Sequence, residues 1–279
     1  MARRTFQSPA RQRGVALLTA LLVVTLATIA AVSMATRQHM DIRRTTNVFT
    51  HDQAYQLSLG AEAYALRLLG EVHQDDDVDL PWEGCVSPPI PVVLEDADLT
   101  VWLEDMHCRF NINDLATEDE SVHERFVQLL DAVSLEAQGV TLDSDGLTRS
   151  IIDWLDPETD DPGYHSQEPP YLSGNQLMLS PTELRLVQGV NDEVWRAVAP
   201  YLTALPGTGA GMNLAEAPEI LREVFGEADA DDDEETEFTS RYYRLAVRTE
   251  LAGRRFLLCS LLDIAEQRVI LREQIPCGP

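Results

Sequence analysis

The sequence predicts an α+β protein, in which a long N-terminal stem helix packs on an antiparallel sheet and a large all-helical domain is inserted between the first and last strands. Three observations predict it. Apolar residues run without a charge from Val15 to Thr36 and then settle into helical spacing. Period-two alternation appears near residue 100 and again after residue 242, and capped segments with helical spacing fill the sequence between.

The first element is the stem. The 22 uncharged residues from Val15 to Thr36 would span about 33 Å as a helix, enough for a bilayer core of about 30 Å. Arg3, Arg4, Arg11 and Arg13 precede the run and favour a cytoplasmic N-terminus, whereas Arg37, Arg43 and Arg44 follow it and weaken that preference. No proline occurs between Arg11 and Pro81, and Leu57, Ala61, Tyr64, Ala65 and Leu68 recur on one helical face. One helix from Val15 to about Gly70 is the simplest reading. The segment reads in three ways: a secretory signal cut near Ala31–Ala35, an ordinary single-pass anchor, or a short basic leader ahead of a retained helix.

The acidic, proline-rich stretch 71–89 leaves the stem as a loop. Val92 to Leu94 and Leu99 to Met106 read as strands, the second with Val101 and Leu103 alternating against Trp102 and Glu104. Val122, Phe126, Leu129, Leu130 and Val133 then follow helical spacing, and Ile151 to Leu155 forms another apolar patch. Ser180-Pro181-Thr182-Glu183 has the residues of a capping box with proline at the first helical position. Asn191 can cap a helix carrying Val194, Trp195 and Val198. Residues 112–204 therefore form the helical insert. Pro206 to Gly211 is a turn-rich link, a short helix follows from Ala215 to Phe225, and the acidic run Glu227 to Glu237 is a solvated loop. Tyr243, Leu245 and Val247 open a half-buried strand, Gly253 lies in a turn, and Phe256 to Ile264 and Val269 to Ile275 close the chain as a meander.

With 279 residues, 44% of them hydrophobic, the chain can bury a sizeable core. Its formal charge is −26, and all its basic side chains are arginine, since lysine is absent. Such a surface repels phosphate backbones and argues against a nucleic-acid partner. The six histidines are scattered, and no nucleophile elbow, phosphate loop or dinucleotide fingerprint is present, so an enzymatic role has no support in the sequence. Four cysteines, Cys85, Cys108, Cys259 and Cys277, lack zinc spacing; an even number suggests two disulfides in an oxidising compartment. Three connectivities are open. Closeness in sequence favours Cys85 with Cys108 and Cys259 with Cys277.

Several motifs carry a family resemblance. Arg11-Gln12-Arg13-Gly14 followed by the apolar run from Val15 is similar to the leader junction of type IV pilins and type II secretion pseudopilins. Arg109-Phe110-Asn111-Ile112-Asn113-Asp114-Leu115, Asp153-Trp154-Leu155-Asp156, Ser180 to Val187 and Asn213-Leu214-Ala215 follow in order and resemble the K-type minor pseudopilins. The resemblance implies a prepilin peptidase cut between Gly14 and Val15, giving a leader 1–14, a membrane and stem helix 15–70, a split pilin-like domain over 71–111 and 205–279, and the insert 112–204. Thr19 occupies the fifth mature position, where most pilin-like subunits carry glutamate. Its absence is a K-type feature and fits a subunit with no neighbour above it, since an unpaired buried carboxylate is costly.

The same resemblance implies a non-enzymatic subunit of the pseudopilus tip that helps initiate assembly and caps the filament during export of folded proteins. It would be held in the inner membrane by one span, with its body in the periplasm. The implied partners are I-type and J-type pseudopilins, a prepilin peptidase, secreted substrates and the outer-membrane secretin. Calcium is the implied cofactor. Asp156, Glu158, Asp160 and Asp161, with Glu168 nearby, form an acidic turn able to gather oxygens around a hard cation or to stay merely solvated. Two other readings compete: a minor pilin of a type IV pilus, and an uncut single-pass periplasmic calcium-binding sensor or adhesin.

Overall fold

The computed structural model describes residues 13–72, 84–137, 142–158, 162–226, 238–274 and 277. The chain divides into two compact units, Met1–Ala54 and Tyr55–Pro279. A single helix, α1 (Arg13–Val72), begins in the first and ends in the second. From Val15 to Phe49 its apolar side chains are all exposed, Leu18 at 69% and Ile29 at 66%. The threonine hydroxyls there donate to carbonyls of their own helix: Thr25 to Leu21 at 2.9 Å, Thr28 to Val24 at 2.8 Å and Thr36 to Val32 at 2.9 Å. This back-bonding satisfies each hydroxyl without a partner from elsewhere.

In the second unit the chain continues through β1 (Ile90–Val93), β2 (Ala97–Asp105), β3 (Phe110–Asn111), α2 (Glu120–Glu136), α3 (Ser144–Leu155), α4 (Pro162–His165), α5 (Asp192–Val198), β4 (Leu202–Thr203), α6 (Glu219–Phe225), β5 (Tyr242–Leu251), β6 (Arg254–Asp263) and β7 (Arg268–Glu273). Five strands form one antiparallel sheet in the order β1-β2-β5-β6-β7. Everything from β3 to α6 is therefore looped out between two neighbouring strands. The register sets Leu99 opposite Thr249, Val101 opposite Val247 and Leu103 opposite Leu245, all buried. Ala252 and Gly253, both at positive φ (51° and 72°), make the tight β5–β6 turn. Two successive residues in that region are what a two-residue hairpin loop requires.

The stem half of α1 buries a face one residue away from the one its apolar spacing suggests. Ser58, Glu62, Ala65 and Leu69 are buried, whereas Tyr64 is 69% exposed. The reason lies on the sheet. Ser58 Oγ meets Thr249 Oγ1 at 2.8 Å. Glu62 accepts two hydrogen bonds of 2.8 Å from the Arg272 guanidinium and a third from the Ser260 hydroxyl. A carboxylate so paired can be buried without the cost of an isolated charge.

The looped-out region has its own core, built from Phe126, Leu129, Leu130 and Val133 of α2, Leu147, Ile151, Trp154 and Leu155 of α3, and Val194 and Val198 of α5. Leu221 and Phe225 of α6, from the 205–279 stretch, join the same core. Phe110 stacks on Phe126 and Phe225 with ring centres 5.1 and 5.3 Å away. The insert is not helical throughout as its spacing suggests: β3 and β4 pair in parallel at its neck, and residues 166–180 run as irregular backbone between α4 and the segment after Ser180.

Candidate functional site

Three places hold the residues singled out by sequence: the start of α1, the neck of the insert and the turn after α3. At the start, Gly14 and Val15 lie in the opening turns of α1, and the Val15 side chain is 62% exposed. Thr19 Oγ1 donates to the Ala16 carbonyl at 3.0 Å, so this position offers no charge to any neighbour.

The neck is a polar clasp made by the Arg109–Leu115 segment. Asn113 lies wholly buried; its amide nitrogen donates to the carbonyls of Met178 (2.9 Å) and Leu205 (2.8 Å), and its amide oxygen accepts the Met178 N–H at 2.8 Å. Asn111 accepts the Leu205 N–H at 2.9 Å and donates to the Gly207 carbonyl at 3.0 Å. Asp114 Oδ1 takes the Asn111 amide and the Gly209 N–H, both at 2.8 Å. Burial raises the Asp114 pKa, with those two donors pulling the other way. Two asparagines and an aspartate thus tie the chain entering the insert to the chain leaving it. An amide suits the task because it donates and accepts at once.

Around the clasp, the buried Glu104 carboxylate binds both Arg109 and Arg244. Burial lowers the Arg109 pKa; Glu104 opposes that shift and Arg244 adds to it. Asn213 donates its amide to Asp105 at 3.0 Å and its backbone N–H to the His107 carbonyl at 2.9 Å. The Asn213-Leu214-Ala215 motif therefore fastens the returning chain to the end of β2. His107 Nε2 in turn accepts the backbone N–H groups of Arg241 (3.1 Å) and Tyr242 (3.2 Å), where β5 begins. Periodicity gives no hint of His107 or Asp105: Asp105 accepts the nearby His107 N–H at 2.9 Å, but the other side-chain partners of the two lie more than 100 residues away. Disulfides join Cys85 to Cys108 beside the clasp and Cys259 to Cys277 at the C-terminal strands, with Cα separations of 6.0 and 6.1 Å.

The Asp153–Asp156 motif ends α3. Trp154 is buried edge-on to Tyr164 and Tyr171, and its carbonyl accepts the Asn175 N–H at 2.9 Å. A Cβ on Gly174 would stand 2.6 Å from the indole nitrogen, so only glycine fits there. Asp156 closes the helix and accepts the Glu158 N–H at 2.9 Å. Glu158 and Glu168 are exposed, while Asp160 and Asp161 lie outside the described residues. Among the described residues no three His, Cys, Asp or Glu side chains converge as a metal site. Asp143 acts as a cap, its Oδ1 accepting the Gly146 N–H at 3.0 Å. Ser180 and Glu183 form the complete capping box and Asn191 caps α5, although the segment after Ser180 winds as a 3₁₀ helix.

The neck and insert coincide with the match to a known family. The family model described as "Type II secretion system (T2SS), protein K" matches residues 108–207. Type II secretion system protein K of Pseudomonas aeruginosa is 31% identical over 234 residues, covering 77% of this chain and 68% of that protein. The chain belongs to the type II secretion system protein K family. The protein K of Aeromonas hydrophila is 30% identical over 226 residues, covering 73% of this chain and 67% of the relative. The chain thus spans about two thirds of each of these K-family proteins. The crystal structure of the GspK-GspI-GspJ complex from enterotoxigenic Escherichia coli contains a chain that superposes with a TM-score of 0.70 at 20% identity, covering 84% of this chain and all of that one. The α+β architecture with its split sheet is therefore the K-family fold.

Proposed function

We propose that this chain is a membrane-anchored minor pseudopilin that sits at the tip of the type II secretion pseudopilus, helps initiate its assembly and caps it. One observation carries the reading: from Val15 to Met34, α1 presents apolar side chains on every side. Such a surface needs lipid before assembly and other helices after it. In this reading a prepilin peptidase cuts between Gly14 and Val15, and the body lies in the periplasm. The insert 112–204 leaves no room for a further subunit above it, and Thr19 makes no demand for one. The role is structural rather than enzymatic. The partners are the I-type and J-type pseudopilins, and the solved GspK-GspI-GspJ complex supports that choice. Secreted substrates and the secretin come within reach of the body once the filament extends.

Calcium at the Asp156 turn belongs to the same proposal. Asp156, Glu158 and Glu168, with Asp160 and Asp161, would supply carboxylate oxygens, the donor chemistry a hard divalent cation prefers. Bound calcium would neutralise crowded negative charge beside Trp154.

Co-purification of the detergent-solubilised chain with the I-type and J-type proteins of the same organism tests the tip reading. A stable ternary complex is the expected result, and no association with either protein contradicts it. For calcium, a chelator should lower the melting temperature of the full chain in detergent, and re-addition of calcium should restore it. An unchanged melting temperature would remove calcium from the account.

A further inference from the structure

A helix that crosses a membrane needs something to set its depth, and Trp and Tyr side chains at the interface commonly do so. Neither occurs between Val15 and Ala54. The threonines within the apolar run cannot serve, because Thr19, Thr25, Thr28 and Thr36 each donate to a carbonyl of their own helix. What remains at the C-terminal end of the run is arginine: Arg37, Arg43 and Arg44, all on α1 and all exposed.

In a chain with 47 acidic residues, ion pairing would be the ordinary fate of these guanidiniums. Among the described residues none of the three forms one, although Asp41 stands one turn from both Arg37 and Arg44. Their placement fits another partner. Arg37 follows the last residue of the apolar run, and Arg43 and Arg44 lie about 9–10 Å further along the axis. The polar layer on each side of a bilayer is about 5–8 Å thick. Arginine stems can fold back toward it, so all three heads fall within its reach. Around the helix, Arg37 and Arg44 share one face while Arg43 sits about 120° away. A flat protein partner would meet one face. A ring of surrounding headgroups meets both.

We propose that Arg37, Arg43 and Arg44 form a collar that binds the phosphates of anionic phospholipids and fixes the depth of α1 in the membrane. Guanidinium groups bind phosphate through paired, charge-assisted hydrogen bonds, and each basic residue at an anionic surface strengthens attachment about fivefold. The collar therefore holds the anchored subunit by a contact that assembly must break. The inference rests on Val15 to Thr36 lying in the bilayer, which the experiment checks separately.

The full chain is reconstituted in phosphatidylcholine vesicles carrying a trace of spin-labelled phosphatidylglycerol or spin-labelled phosphatidylcholine. The relative affinity for the two lipids is read from the motionally restricted fraction of the spin-label spectrum. The wild-type chain and the exposed-site control Arg149→Gln should prefer phosphatidylglycerol equally. In the triple variant Arg37→Gln, Arg43→Gln, Arg44→Gln that preference should fall at least fivefold at low salt. These substitutions lie on an exposed helix surface, and resistance of each variant to carbonate extraction reports insertion. Unchanged lipid preference in an inserted triple variant overturns the collar, as does loss of I-type or J-type binding with lipid preference intact. A wild-type chain that carbonate extracts overturns the membrane reading itself.

Discussion

The two halves of α1 handle polar side chains in opposite ways. In the apolar half, each threonine bonds to its own backbone, and nothing it makes identifies a neighbour. In the stem half, Ser58 and Glu62 face inward and find partners on β5, β6 and β7. The contrast teaches what each half is built for. A surface held by apolar contact alone tolerates sliding, as a helix must when it leaves lipid for a filament. A surface with buried polar pairs admits one register, because a slip by one residue would strand a carboxylate.

The largest effect should follow removal of the carboxylate that sets this register. Glu62→Ala is expected to destabilise the chain by about 3 kcal/mol, measured by denaturant unfolding of the second unit's tryptophan signal. The value is held to the lower end of the range because Arg272 is 45% exposed and keeps part of its hydration. A loss below about 1 kcal/mol would mean that apolar contact, not Glu62, docks the stem.

The next effect tests whether paired charge matters elsewhere on the same sheet. Asp263 is buried at the end of β6 and receives Arg241 through hydrogen bonds of 2.8 and 2.7 Å. Burial raises its pKa, but the Arg241 hydrogen bonds, the Glu266 N–H and the nearby positive charges outweigh it, leaving the pKa below the usual value. A depressed carboxylate pKa means that the unfolded chain binds more protons as acid is added. The contribution is therefore complete above the unfolded value of about 3.9 and is lost as pH falls through the folded value. Asp263→Asn should cost about 2 kcal/mol at pH 7, with the difference from wild type shrinking below about pH 4. A gap that does not vary with pH would show that shape, not charge, holds Arg241.

Two smaller substitutions sharpen the contrast. Ser58→Ala leaves the buried Thr249 hydroxyl without its partner and is expected to cost about 1 kcal/mol by the same unfolding assay. Thr25→Val in the apolar half should change stability by less than about 0.5 kcal/mol, because the hydroxyl it removes binds only its own helix. Similar losses at Ser58 and Thr25 would erase the distinction between the halves.

What could be read from sequence follows the range of the interactions. Ser180 and Asn191 were legible as caps because each satisfies backbone groups two or three residues away. The strands of the sheet were legible from alternation, and the helical character of the insert from spacing. The buried face of the stem was not, since apolar periodicity assigns no inward place to a serine and a glutamate whose partners lie 191 to 210 residues further on. Nor was the β3–β4 pair, two residues per strand, nor the packing of α6 into the insert's core. The Asn111–Asn113–Asp114 clasp was visible only as a family motif. Its purpose needed the Met178, Leu205 and Gly209 backbones in place.

The pseudopilin reading of α1 depends on the mature chain beginning where its apolar surface begins. The most direct measurement is the intact mass of the protein extracted from membranes of cells containing the prepilin peptidase, with a peptide map of its N-terminus. The account predicts a chain starting at Val15, with Thr19 at the fifth position. A chain that begins at Met1, or one cut near Ala35, would contradict it.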